Sequence, residues 1–171
     1  MLMPQPIAGS DEFILAMRQF PAAVGIITSG DLARPCGLTA TAIMSLTADP
    51  PQIAVAVNRN ASAYPIFMET GIFCVNLLTT AQTGVAQLFS SADRREERFA
   101  SGQWHSLATG APVLDGSLLS LDCTLETALQ FSSHALLVGQ VAAIAIGDDS
   151  APLLYMQRQW AGLLPQANLA A

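Results

Sequence analysis

The sequence predicts a mainly β domain, an antiparallel barrel or sandwich with a few helices attached. Three observations lead there. Some seven segments have strand length and composition, are bounded by Gly, Pro or Asp, and follow no strand-helix-strand rhythm that would build a parallel sheet. The run Cys36 to Thr47, read at strand period, has an apolar side of Leu38, Ala40, Ala42, Met44 and Leu46. Its other side carries Thr39, Thr41, Ser45 and Thr47 around Ile43. Two long, largely apolar segments, Leu118 to Ala128 and His134 to Ile146, close the set.

In chain order, Ser10 caps a helix reaching Phe20, with Phe13, Ala16, Met17 and Phe20 at helical spacing on one face and Pro21 as its stop. Ala22 to Thr28 reads as a strand, and Gly30-Asp31 turns the chain into the hydroxyl-bearing strand. Asp49-Pro50-Pro51 ends that strand, because proline has no N–H for the ladder. Gln52 to Asn58 alternates Ile53, Val55 and Val57 against the small Ala54 and Ala56. A helix over Ala63 to Thr70 stops at Gly71, and Ile72 to Leu78 is a buried strand. Ala81 to Ser90 is helical. Asp93 to Ala100 concentrates charge, with Arg94 and Glu97 three apart as a helical pair. Gly102, Gly110, Pro112 and Gly116 mark an irregular connection around Trp104. In Leu118 to Ala128, the residues Leu119, Leu121, Cys123 and Leu125 share a face. The near-continuous apolar content of His134 to Ile146 predicts burial on both faces, and Leu153 to Met156 adds a short strand.

Composition narrows the function classes. The chain has 171 residues, enough for one hydrophobic core and too few for two ordinary domains. Half of it is apolar, only 12% is charged, and the mean hydropathy is +0.42. No apolar run reaches the roughly 18 residues of a membrane span. This much apolar surface on so small a chain predicts a homodimer. Net charge is −6, and all seven basic residues are arginines with no stripe that could follow a phosphate backbone, which argues against nucleic acid. The absence of lysine excludes Schiff-base chemistry. Cys36, Cys74 and Cys123 are far apart and lack zinc-ligand spacing, so they read as three reduced thiols and no metal site is expected. With no basic, apolar leader at the N-terminus, the expected compartment is the cytoplasm.

Glycine-rich dinucleotide and phosphate loops, nucleophile elbows and paired metal-binding histidines are all missing from the sequence. The hydroxyl-bearing strand is therefore the leading chemical feature. A strand dividing core from water normally shows charged residues outside, whereas this one shows short hydroxyls beside small residues, a surface suited to a flat ligand.

The order Gly37-Leu38-Thr39-Ala40-Thr41-Ala42, Ser45, Asp49-Pro50-Pro51, Asn58, Ser62 and Phe73-Cys74-Val75-Asn76-Leu77-Leu78 resembles the flavin reductase family. Arg95-Glu96-Glu97-Arg98-Phe99, Trp104, Pro112-Val113-Leu114 and Ser133-His134 continue the likeness. It is similar in particular to the reductase components of two-component monooxygenases such as that acting on 4-hydroxyphenylacetate. The likeness covers residues 12–163, leaving 1–11 and 164–171 as tails.

The resemblance implies an antiparallel Greek-key split barrel binding FMN or FAD, with NADH or NADPH as hydride donor. It places Thr39, Ala40, Thr41 and Ala42 along the flavin ring, and Asn58 and Arg59 along the ring and ribityl chain. Ser62, Phe89 and Ser90 fall near the phosphate, with Arg98 as its cation among the candidates Arg94, Arg95 and Arg98. His134 takes the nicotinamide side, although Ser132 stands where the family has glycine. His105 is given no role. Stacked rings about 3.5 Å apart need alignment and water exclusion rather than a catalytic dyad. The implied activity is reduction of flavin for a partner flavin-dependent monooxygenase. Two alternatives stand beside it: reduction of ferric iron or a cobalt corrinoid on the same fold, and flavin binding without turnover.

Overall fold

The computed structural model describes residues 8–163; the expected tail 164–171 and the first seven residues of the tail 1–11 lie outside them. Helix α1 covers Ser10–Met17 and is followed by the short strand β1 at Ala22–Ala23. Strands β2 (Gly25–Gly30), β3 (Pro35–Ala40), β4 (Ile43–Ala48) and β5 (Pro51–Asn58) come next. Helix α2 (Tyr64–Thr70) leads to β6 (Ile72–Leu77), and a 3-10 turn at Thr80–Gln82 leads to α3 (Thr83–Ser90). A second 3-10 segment, Arg95–Ala100, precedes β7 (Trp104–Ser106) and β8 (Pro112–Leu114). The long strands β9 (Leu119–Phe131) and β10 (His134–Ile146) form a hairpin, and β11 (Leu154–Met156) and β12 (Gln159–Ala161) finish the chain.

Seven strands make one antiparallel sheet in the order β3-β2-β6-β9-β10-β5-β4. Its two edges, β3 and β4, are separated in sequence only by Thr41 and Ala42, so the sheet must curl until its edges meet there. The expected single strand from Cys36 to Thr47 is thus two strands. Thr39 and Ala40 pair with β2, whereas Ile43, Met44 and Ser45 pair with β5. Strand periodicity reports which side chains alternate and is blind to a change of pairing partner midway. The predicted strand Ala22 to Thr28 divides in the same manner at Val24: β1 joins a small sheet with β11 and β12, and β2 enters the large one. β12 has no counterpart among the expected strands, and the stretch around Trp104, expected to be irregular, contains the β7–β8 hairpin.

The two larger cores follow from this curl. Ile27, Val55, Val57, Phe67, Phe73 and Leu137 fill the inside of the sheet under α2. Ile26, Leu78, Phe89, Leu114 and Leu153 pack outside it, beneath α3 and the β11 region. Ile26 and Ile27 are neighbours on β2 and both fully buried, because β2 is covered on both faces. Burying Phe67 and Phe73 completely contributes about 1.5–3 kcal/mol each. The chain reverses between β2 and β3 at Gly30, φ +78°, where a Cβ would lie 2.3 Å from the Arg34 carbonyl oxygen.

β10 departs from its expected burial on both faces. Its first half alternates between buried and half-buried residues, but Ala142, Ile144 and Ile146 are exposed. Residues past Gln140 extend beyond the pairing with β5. Likewise, α1 has no buried residue, and Phe13 and Phe20 are 59% and 65% exposed. Among the described residues, no helix is long and apolar enough to cross a membrane.

Candidate functional site

Where the sheet edges meet, a groove of about 480 Å³ opens between β3 and β5. Its floor consists of small residues: Ala40 and Ala42 from the edge crossing, and Ala56 opposite, whose amide donates to the Ala42 carbonyl at 3.0 Å. Thr41 stands exposed on this floor. Thr39 also lines the groove, but its hydroxyl donates to the Ala86 carbonyl of α3 at 2.8 Å, which ties that helix to β3. Gly37 allows the close approach that this tie requires. A Cβ there would sit 2.9 Å from the Ile27 carbonyl oxygen and 3.0 Å from the Phe89 ring. Phe89 and Ser90, from the end of α3, form the adjoining wall.

The turn after β5 supplies the other wall. The Asn58 side-chain oxygen accepts the Asn60 amide at 2.9 Å, folding Asn60, Ala61 and Ser62 along the groove before α2 begins. His134, first residue of β10, is the register partner of Asn58 and also lines the groove. Its Nδ1 lies 2.8 Å from the Ser133 hydroxyl, an interaction that orients the ring.

Charge in the groove has one sign. Arg95 and Arg98 line it, and no Asp or Glu does. Arg98 is buried: its Nη1 donates to the Gly37 carbonyl and its Nη2 to the Ser91 carbonyl, each at 2.7 Å, while the guanidinium lies over the Phe89 ring. Burial, and secondarily the charge of Arg95, lowers Arg98 from the usual guanidinium value. Its Nε is buried and has no acceptor among the described residues. Arg98 is therefore a clamp joining the 3-10 segment to β3 and the end of α3. Arg95 is the more exposed cation. Arg94 instead pairs with Glu97 at 2.6 Å, as their spacing predicts.

Of the residues singled out from the sequence, Thr39, Ala40, Thr41, Ala42, Asn58 and Ser62 come together here, as do Phe89, Ser90, Arg98 and His134. Arg59 does not line the groove. It is drawn to the β9–β10 turn, where its amide donates to the Ser133 carbonyl at 2.9 Å and its Nη1 to the Ser132 carbonyl at 3.3 Å. The turn that folds Asn60 inward sends its neighbour outward. His105 pairs with Asp115 away from the groove. Sequence reading missed the lining role of Asn60 and Ala61, for which the Asx turn at Asn58 was the available signal.

A curled antiparallel sheet, split at one edge by an acid-free groove with a small-residue floor and arginines beside it, defines a split barrel suited to a flat, anionic ligand. The chain belongs to the flavin reductase like domain family, which matches residues 17–163. It is 38% identical over 155 residues to the FMN reductase (NADH) RutF of Variovorax paradoxus, covering 91% of this chain and 86% of that one. Solved structures share the fold, among them two at 28% and 29% identity. A homologue of nitrilotriacetate monooxygenase component B from Mycobacterium thermoresistibile has TM-score 0.85 at 28% identity, covering 93% of this chain and 89% of that one. BorF, the flavin reductase component of a bacterial two-component tryptophan halogenase, has TM-score 0.83 at 29% identity, covering 92% and 100%.

Proposed function

We propose that this protein is an NADH:FMN oxidoreductase of the cytoplasm that works as a homodimer and hands reduced flavin to a separate flavin-dependent oxygenase. The groove at the sheet edges carries the reading, because its small floor and two arginines fit a flat ring bearing a phosphate. The orphaned, buried Nε of Arg98 agrees with an anionic occupant nearby. Relatives named as NADH-dependent FMN reductases favour FMN over FAD and NADH over NADPH. BorF, a reductase component of a two-component halogenase, supports a separate flavin-consuming partner. The exposed Met44 and Leu46 of β4 and Ile144 and Ile146 of β10 support the dimer, whose cover would remove them from water.

Flavin, when bound, supplies the hydride acceptor. The chain's own contribution is placement. Ala40, Ala42 and Ala56 leave the floor flat, and Thr41 offers a hydroxyl at the ring edge. Ser62 and Arg95, which line the groove, would hold the phosphate, and Arg98 keeps Gly37 and Ser91 in position. His134, oriented by Ser133, lines the groove and would meet the nicotinamide there. Water exclusion and alignment then supply the rate, with no general base.

Steady-state NADH oxidation tests the reading. Turnover that requires added FMN, is slower with NADPH and yields no gain with ferric or cobalamin acceptors is the expected result. Flavin binding without NADH oxidation would leave a binding protein, and turnover only with metal acceptors would assign the alternative reductase. Sedimentation should give a dimer at micromolar concentration.

A further inference from the structure

The β9–β10 hairpin turns on two residues only, Ser132 and Ser133, between the paired Phe131 and His134. Both turn carbonyls are engaged from the end of β5: the Arg59 amide donates to that of Ser133 at 2.9 Å, and Arg59 Nη1 to that of Ser132 at 3.3 Å. Asn58, one residue earlier, is the register partner of His134. The turn is thus held against β5 by its backbone, which fixes where the Ser133 hydroxyl stands relative to the imidazole.

That hydroxyl lies 2.8 Å from His134 Nδ1 and has no second partner among the described residues. A neutral imidazole has one proton for two nitrogens, so the bond made at one nitrogen decides the character of the other. A serine hydroxyl can donate, which a carboxylate cannot. By donating to Nδ1 it leaves the proton on Nε2, the ring nitrogen that stays available to a ligand in the groove His134 lines. Arg95 and Arg98 line the same groove and no Asp or Glu does, so no carboxylate competes for the Nε2 proton.

We propose that Ser133 is a positioning residue that acts through His134: its hydroxyl donates to Nδ1, sets the tautomer with the proton on Nε2, and so gives the groove a neutral hydrogen-bond donor beside its arginines. Such a donor suits the carbonyl oxygen of a carboxamide, which a bare Nε2 lone pair would repel. The inference rests on the reductase reading, in which the nicotinamide of NADH carries that carboxamide. His134 then holds the nicotinamide ring in place and transfers no proton.

The chain has only two histidines, so nitrogen-15 NMR reads the tautomer directly, with His105→Gln identifying the other ring. At about pH 8, above the ordinary imidazole value of about 6.5, His134 should show a protonated Nε2 and an unprotonated Nδ1. Ser133→Ala should bring the two shifts toward each other, and Ser133→Thr, which keeps the hydroxyl, should restore them. In steady-state assays Ser133→Ala should raise KM for NADH about three- to tenfold at little-changed kcat, the effect of one neutral hydrogen bond made both before and during transfer. Ser133→Thr should return KM to the wild-type value, and neither variant should change FMN affinity or melting temperature. A wild-type proton on Nδ1, or an unchanged tautomer and KM in Ser133→Ala, would overturn the proposal. Equal losses for NADH and FMN with a lower melting temperature would overturn it too, since they mark a turn that serves only the fold. Should the wild-type protein fail to oxidise NADH, the reductase reading falls, while the NMR of wild type and Ser133→Ala still decides what Ser133 does to His134.

Discussion

The Thr39 hydroxyl donates to the carbonyl of Ala86 across 2.8 Å, whereas Thr41, two residues on, stands exposed in the groove. The two threonines of one motif therefore have separable duties. Thr39→Val should lower stability by about 1 kcal/mol through loss of one hydrogen bond. Thr41→Val should leave the melting temperature unchanged and weaken FMN binding by about threefold or more. Thermal melts and flavin-fluorescence titrations of both variants check the pair; the reverse pattern would exchange their roles.

His134 and Asn58 are register partners across β5 and β10, at the open side of the groove. On the proposed reading, in which the imidazole positions the nicotinamide, His134→Ala should leave FMN affinity intact and lower kcat/KM for NADH about ten- to a hundredfold, since ring stacking remains. Stopped-flow reduction of the flavin-loaded variant at wild-type rate and concentration dependence would remove His134 from the site.

Asn76 is fully buried and joins four strands. Its Nδ2 donates to the Ile26 carbonyl at 3.2 Å, and its Oδ1 accepts the Leu114 amide at 2.9 Å and the Ser120 hydroxyl at 3.0 Å. Asn76→Leu strands these groups together and should cost about 2–4 kcal/mol, read as a lower urea midpoint. A midpoint within error of wild type would show that the network contributes nothing.

These residues mark what was legible in the sequence. The motif containing Asn76 carried the family likeness, but nothing in its order says that Asn76 is a structural hub rather than a ligand-binding group. The edge crossing at Thr41-Ala42 was legible as a small, hydroxyl-bearing run and illegible as a change of strand partner. Arg98 sits in a stretch of mixed charge, the pattern of a solvated surface; that it is the buried one depends on the carbonyls of Gly37 and Ser91, 61 and 7 residues away. Arg59 lies off the groove for the converse reason, since its partners are in the β9–β10 turn, remote in sequence.

Cysteine chemistry gives a pH window. Burial pushes the Cys36 thiol up to about 11, against smaller opposing effects of the Ser29 backbone hydrogen bond and Arg98. Cys123 is pushed up to about 12, by burial first and by the Asp122 charge second. Burial raises Cys74 as well. An unfolded thiol ionises near the ordinary value of 9.0, so below that pH both states stay protonated and the stabilisation is complete. Above it the unfolded state releases protons that the folded state retains. Stability should fall from about pH 9 upward, through the folded values. Melting temperatures between pH 7.5 and 10.5 should show this decline, and Cys36→Ala should lessen it. A flat profile would mean that the thiols are as accessible folded as unfolded.

The strand order has a kinetic corollary. β2–β3, β4–β5 and β9–β10 are hairpins that close locally, but the pairings β2–β6, β6–β9 and above all β5–β10 join segments far apart in the chain. Folding is then the docking of three preformed hairpins around β6, with loop-closure entropy rather than hairpin formation as the obstacle. Such high contact order places refolding in the millisecond-to-second range. It also means that the ligand groove, bounded by the first two hairpins and β10, exists only after the last long-range ladder has closed.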